Sequence, residues 1–152
     1  MRMPAKSKAN FWVFLCIYQA AIELVILIDV IIENLPRDRA YLADQFQRAG
    51  TSVPLNIAEG AGEYSIAEKA RFYRMARRSA TECAGVFDIC RRLRLIQEVQ
   101  YMKGRIRIVS MLTKMTQGAS FVNVTVPVAM PDLSQIGRNL SSYTKNSIFG
   151  MI

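Results

Sequence analysis

The apolar run over residues 11–32 constrains the fold more than any other part of the chain. The polar residues in and just after this run share an arc of about 140° on a helix that turns about 100° per residue: Gln19, Glu23, Asp29, Glu33 and Asn34. Carboxylates such as Glu23 and Asp29 are costly in lipid, so we do not expect a membrane span. A helix with a narrow polar stripe must instead be buried by neighbouring helices or by other subunits.

Start and stop signals divide residues 10–118 into four helices. Helix one is expected over residues 10–34, with Asn10 as its N-cap. Helix two is expected over residues 38–59, and it passes through Pro54 as one bent helix rather than two. Gly60 and Gly62 are expected to end helix two, and Gly118 to end helix four. Ser65 and Glu68 form a Ser-x-x-Glu capping box at the start of helix three.

These segments predict an all-α protein, an antiparallel four-helix bundle with a C-terminal extension. The expected division is an N-terminal tail over residues 1–9, the bundle over 10–118 and the extension over 119–152. The extension alternates as a strand would over residues 121–126 and ends in apolar residues. We therefore expect it to pack on the bundle or on a neighbour, as an assembly arm that could also contact a protein partner.

The residue types present exclude most catalytic sites. The 152 residues include no histidine, which removes the commonest general base and the commonest metal ligand. Gly60-Ala-Gly62 follows a helix rather than a strand, so it is not a nucleotide fingerprint. The three cysteines (Cys16, Cys83 and Cys90) do not suggest a disulfide framework. Cys83 and Cys90 share an apolar helix face, so we expect buried free thiols at these two positions and a reducing cytoplasm. No enzymatic activity, metal or other cofactor is expected.

The positive charge is concentrated in the middle of the chain. Residues 69–114 carry twelve basic and three acidic groups, a net of +9, within a whole-chain charge of +8. Four arginines of helix three lie within about 60° of one another, with a fifth beside them: Arg71, Arg74, Arg78, Arg92 and Arg77. The planar donor fork of arginine suits phosphate, which indicates a nucleic-acid or other polyanion site. The alternative is intrabundle salt bridges with Glu59, Glu82 or Asp88.

A polar row follows helix two through an otherwise apolar surround. Its members lie within an arc of about 80°: Gln45, Arg48, Ser52, Asn56 and Glu59. Polar groups that are buried need hydrogen-bond partners, so a row of this kind predicts a buried or interfacial network. The alternative is a solvated face.

Two segments resemble one known family. The sequence QFQRAGTSVPLNIAEG over residues 45–60 and the sequence RFYRMARRSATE over residues 71–82 are similar to the recurrent segments of four-helix-bundle proteins encoded in intervening sequences of bacterial 23S ribosomal RNA genes. The resemblance extends over residues 11–117. The family pattern usually has glycine where this chain has Arg78, which places a bulky cation where helices approach closely in the family.

The resemblance implies an antiparallel four-helix bundle and a ring-like homo-oligomer, commonly a pentamer, without a settled activity. Related bundle proteins act as accessory factors of diversity-generating retroelements, in which a basic pentamer binds nucleic acid and a reverse transcriptase. We therefore expect a non-enzymatic homo-oligomer that binds nucleic acid (RNA or DNA) or another polyanion through its basic face. The alternative is a structural or protein-interaction module that binds no nucleic acid.

Overall fold

The computed structural model describes the backbone of residues 5–117 and the side chains of residues 12–115. Within this range the chain has no strand and forms four α-helices: α1 (Ala5–Glu33), α2 (Ala40–Gly62), α3 (Ile66–Arg92) and α4 (Glu98–Gln117). A short 3₁₀ turn, Arg37–Arg39, lies between α1 and α2. The expected strand-like segment and the rest of the C-terminal extension lie outside the described residues.

The helices pack in a closed ring. Each helix contacts the next one along the chain, and α4 closes the ring by packing on α1. Short links join consecutive helices, so neighbours run antiparallel. The contact between α2 and α3 is the most extensive. The predicted antiparallel four-helix bundle is therefore confirmed.

The first helix starts earlier than the sequence pattern predicted. α1 begins at Ala5 rather than at the expected cap Asn10, so most of the expected N-terminal tail is helical. The residues that follow Pro4 are alanine, lysine and serine, which a helix accommodates, and proline itself is favoured at a helix start. A good N-cap residue therefore does not begin a helix when the residues before it can also be helical.

The second helix ends later than predicted and, as predicted, passes through Pro54 without a break. α2 continues through Gly60 to Gly62, so Gly60 is not its stop signal. Gly60 is buried, and a Cβ atom at this position would lie 2.6 Å from Cε1 of Tyr73 on α3. The glycine is required for close packing of α2 on α3.

The first helix faces the core on one side only. It buries residues spaced three and four apart: Phe14, Ile17, Ala21, Leu24, Ile28 and Ile31. Its opposite side exposes Ile22, Ile26 and Val30, which we call the α1 stripe. The segment Trp12–Glu33 is long and apolar enough to cross a bilayer, a property that core helices of bundles share.

An aromatic pair joins the centre of α2 to that of α3. The rings of Phe46 and Phe87 are fully buried and meet edge-on, with their centroids 4.7 Å apart. The edge-to-face arrangement is favourable for aromatic rings beyond the area they bury. α4 reaches the same pair through Gly104, where a Cβ atom would lie 2.6 Å from Cε1 of Phe87. Three helices therefore meet at the Phe87 ring.

We predict that Gly104→Ala lowers the free energy of unfolding by about 1–3 kcal/mol, the usual cost of overpacking a core. The added methyl group would overlap the Phe87 ring, which is fully buried and already packs edge-on against Phe46. Urea unfolding followed by circular dichroism measures the effect. Gly85→Ala is the control, since a Cβ atom there meets no described residue within 4 Å. Equal stability of Gly104→Ala and the wild type would contradict this packing.

Candidate nucleic-acid interface

Helix α3 divides cleanly into a buried side and an exposed side. The buried side includes Ala76, Ala80, Cys83, Phe87 and Cys90, and it packs into the bundle. All the arginines singled out from the sequence are exposed on the other side. We call these residues the α3 basic face: Arg71, Arg74, Arg77, Arg78 and Arg92. Ser65 caps α3 by accepting a hydrogen bond from the Glu68 amide. The α3 basic face lies along this one continuous helix.

Most of the α3 basic face is not neutralised by the described residues. Arg71 pairs with Glu68, with 3.1 Å between Nη1 and Oε2. None of Arg74, Arg77, Arg78 and Arg92 forms an ion pair or hydrogen bond through its guanidinium within the described part of the chain. Exposed and unpaired guanidinium groups keep their full donor capacity for an anion from outside.

The acids that could neutralise this face are engaged elsewhere or lie apart from it. Glu82 stands one helical turn from Arg78, but its carboxylate accepts a hydrogen bond from Gln45 of α2. Asp88 accepts hydrogen bonds from the Tyr101 hydroxyl at 2.8 Å and from Arg105 at 3.4 Å. Glu82 and Asp88 therefore form no salt bridge with the α3 basic face, contrary to the alternative interpretation of the sequence.

Arg78 occupies the position where the family pattern usually has glycine. Its side chain is exposed and meets no described partner, so it does not obstruct the packing of α2 on α3. The departure therefore adds a cation to the outer surface without disturbing the core of this bundle.

Arg94 is a further exposed cation that the helical pattern missed. It follows α3 in the left-handed region, with φ of 56°, where glycine is favoured. The Leu95 amide bonds the Cys90 carbonyl at 2.9 Å across this turn. The charge run Arg91-Arg92-x-Arg94 is the sequence signal that could have identified it. The cation lies at the same end of the helix as Arg92.

The polar row of α2 forms two groups of hydrogen bonds along the contact with α3. The hydroxyl groups of Ser52 and Ser79 are 2.9 Å apart. Asn56 is buried and donates from Nδ2 to the Ser52 carbonyl at 2.7 Å and to its Oγ at 3.0 Å. Gln45 donates to Glu82 and accepts from Arg48 at 3.0 Å. The row therefore links the two helices at their shared edge.

The two charged members of this row differ from the expectation of burial. Arg48 is exposed, and besides bonding Gln45 it pairs with Asp44, with 3.0 Å between Nη2 and Oδ2. Glu59 is exposed and has no hydrogen-bond or ion-pair partner among the described residues. Three residues along a helix turn a side chain about 60° from Asn56, which here is enough to bring Glu59 into solvent. The row therefore forms two separate hydrogen-bonded groups, and Glu59 lies outside both. Gln45 bonds Arg48 and Glu82, and Ser52 bonds Asn56 and Ser79.

The titratable groups buried in the core include two cysteines and a lysine. Burial raises the pKa of Cys83 to about 12 and also raises the pKa of Cys90, which suppresses the thiolate form. The expected buried free thiols at these two positions are confirmed. Lys69 is only 2% exposed, and burial lowers its pKa while the charge of Glu63 opposes that shift. The described residues contain no group of three candidate ligands that could hold a metal ion.

These features define an all-α four-helix-bundle protein with a basic outer face on its third helix. The family model of the 23S rRNA-intervening sequence protein matches residues 14–117, and the chain belongs to this family. A solved structure from Bacteroides thetaiotaomicron VPI-5482, a protein with unknown function from the S23 ribosomal protein family, shares the fold with a TM-score of 0.64 and 19% identity. The match covers 69% of this chain and 96% of that one. Comparison with curated proteins gives no match.

We predict that Asn56→Ala and Glu59→Ala differ in stability although both residues belong to the same row. Asn56→Ala removes the buried amide that donates hydrogen bonds to Ser52, and it should lower the free energy of unfolding by about 1–3 kcal/mol. Glu59→Ala changes an exposed side chain and should stay within about 0.5 kcal/mol of the wild type. Denaturant unfolding of both variants checks this, and a larger loss for Glu59→Ala would place the glutamate inside the network.

Proposed function

We propose that this protein is a non-enzymatic homo-oligomer that binds nucleic acid through the α3 basic face. The observation that carries the proposal is that four of the five arginines on this face are exposed and have no partner among the described residues. An array of this kind attracts the phosphate backbone, because each neutralised phosphate releases condensed counterions. Binding of this type positions the protein without reading sequence, since phosphates carry no base information.

The electrostatic field of the whole segment supports the same proposal. The excess of twelve basic over three acidic groups in residues 69–114 is carried by α3, α4 and the turn between them. Because arginine is weakly hydrated and presents a rigid fork, it binds phosphate more favourably than a surface lysine does. The same field would raise the association rate of any polyanion.

Self-association is the second part of the proposal. The α1 stripe leaves three large aliphatic side chains in solvent on one helix. α4 exposes a comparable set: Val99, Met102, Ile106 and Val109. Apolar rows that the bundle does not cover favour association with further copies, and the resemblance within the family suggests five. The free cysteines are consistent with the cytoplasm as the compartment in which this assembly works.

We predict that replacing Arg74, Arg78 and Arg92 together by Gln weakens nucleic-acid binding and its salt dependence. The slope of the logarithm of the binding constant against the logarithm of salt concentration should flatten by about two to three units, because each phosphate that is no longer neutralised reduces the slope by about 0.7–0.9. Fluorescence anisotropy with labelled single-stranded and duplex RNA and DNA measures both quantities. The reduction in affinity should be similar for all sequences.

A matched triple variant separates this face from net charge alone. Arg37, Arg39 and Arg48 lie outside residues 69–114, and Arg39 and Arg48 are ion-paired with Asp38 and Asp44 respectively. Their replacement by Gln removes the same charge from other surfaces and should leave the salt slope close to that of the wild type. If both triple variants bind equally weakly, the face has no special role. If the wild type binds no nucleic acid at low salt, the protein is better described as a structural assembly module.

We predict that the wild type has a mass several times 17.2 kDa in solution and that Ile26→Glu reduces it. Ile26 is 60% exposed at the centre of the α1 stripe, and a carboxylate there would have to be desolvated in any contact between copies. Ile66→Glu is the control, because Ile66 is 64% exposed at the first residue of α3 and away from the stripe. Light scattering with circular dichroism measures mass and folding, and a monomeric wild type would refute self-association.

A further inference from the structure

Two neighbouring helices of the bundle, α1 and α4, each present an apolar row of similar length. The α1 stripe runs from Ile22 to Val30, which is about 12 Å of helix at about 1.5 Å per residue. The second set extends over about 15 Å of α4. We call it the α4 row, and its members are all exposed: Val99, Met102, Ile106 and Val109.

An ion pair between the two helices shows that these rows lie at the same height in the bundle. Glu23 of α1 pairs with Arg107 of α4. Because the two helices run antiparallel, residues after Glu23 are level with residues before Arg107. Ile22 is therefore nearly level with Val109, and Val30 with Val99. A rotation about an axis parallel to the helices keeps these heights, so it brings the α1 stripe of one copy level with the α4 row of the next.

The two helices also carry opposite charges. Residues 12–33 of α1 contain three acidic groups and no basic group, a net of −3: Glu23, Asp29 and Glu33. The α4 helix contains four basic groups and one acidic group, a net of +3: Lys103, Arg105, Arg107, Lys114 and Glu98. A contact between α1 of one copy and α4 of another is therefore electrostatically complementary.

The opposite charges persist on the surface after the ion pairs within the bundle are subtracted. These pairs engage Glu23 with Arg107, Arg105 with Asp88, and Glu98 with Arg91. The other charged groups of the two segments are exposed: Asp29 and Glu33 on α1, and Lys103 and Lys114 on α4. Asp29 lies three residues after Ile26 of the α1 stripe, and Lys103 lies three residues before Ile106 of the α4 row. Carboxylates therefore border one row, and an ammonium group borders the other.

We infer that copies of this chain assemble head to tail, with the α1 stripe of one copy packed on the α4 row of the next. This inference rests on the self-association in the proposed function and adds to it which two surfaces meet. The apolar rows supply the buried area, and the opposite charges select the pairing. Each copy keeps one stripe and one row, so further copies can add until a ring closes.

A symmetric contact, in which one surface meets the same surface of a second copy, fits these charges less well. Two α1 surfaces would bring Asp29 and Glu33 of both copies together. Two α4 surfaces would do the same with Lys103. Like charges brought close at an interface repel, and burying them adds a desolvation penalty. The head-to-tail contact avoids both costs.

Two variants of the full chain test the pairing by complementation. Ile26→Glu places a charge in the α1 stripe and leaves the α4 row intact, and Ile106→Glu does the reverse. Each variant alone should have the mass of one chain, 17.2 kDa, in light scattering. An equal mixture should have the mass of two chains, because the intact row of one variant binds the intact stripe of the other. Ile66→Glu is the matched control, since Ile66 is 64% exposed and Ile106 62%, and it should assemble as the wild type does.

A charge exchange provides a second test that leaves both apolar rows unchanged. Asp29→Lys with Glu33→Lys should lower the mass, because the altered α1 surface would meet the lysines of α4. Adding Lys103→Glu and Lys114→Glu to the same chain should restore it, since the two surfaces are again complementary. Circular dichroism of each variant checks that the bundle is folded. A mass that the added glutamates do not restore would contradict the inference.

The remaining outcomes separate this inference from the proposed function. If Ile106→Glu assembles as the wild type does while Ile26→Glu does not, the α4 row is outside the contact, so the inference fails and self-association stands. The same result is expected if the C-terminal extension of the same chain covers the α4 row. If the mixed variants stay monomeric, the two surfaces do not meet, and the inference is overturned. If the wild type is monomeric, self-association fails and the inference fails with it.

Discussion

The packing of α2 against α3 determines which residues of α3 are buried and which are exposed. The edge-on contact of Phe46 with Phe87 and the close approach at Gly60 fix the rotation of α3 about its own axis. That rotation places Cys83 and Phe87 inside the bundle and turns the basic face outward. It also brings Ser79 and Glu82 to the edge where Ser52 and Gln45 lie. The packing of α2 on α3 therefore positions both the polar side chains at their shared edge and the cationic surface.

The sequence was sufficient for the features that depend on periodicity within a single helix. The four helices, the Ser65 cap and the outward direction of the arginines follow from residues that share a helix side. It was insufficient where a neighbouring element decides the outcome. Asn56 and Glu59 belong to the same row, yet Asn56 is buried and Glu59 is exposed, because periodicity does not show how wide an arc of α2 its neighbours cover. In the sequence Gly60 likewise indicates the end of α2, and only the structure shows that it lies within the helix and packs against Tyr73.

The polar network and the basic face are linked through Glu82. Arg78 and Glu82 are four residues apart on α3, a spacing at which opposite charges often pair on a helix. The Glu82 carboxylate instead accepts a hydrogen bond from Gln45 across the interface with α2. Asp88 is engaged in the same way by Tyr101 and Arg105 of α4. The contacts that hold α3 to its neighbours thus use the acids that would otherwise neutralise its outer surface.

The ring of helix contacts also separates the two surfaces proposed to bind partners. α2 and α4 each pack on both α1 and α3, so α1 and α3 lie diagonally across the bundle. In an assembly formed through the α1 stripe, the basic face of each copy would remain on the far side of its bundle and outside the contact. Each added copy would then contribute another set of arginines to the same assembly. Individually weak phosphate contacts on several copies can together hold one nucleic acid firmly, provided that its length allows it to reach more than one face.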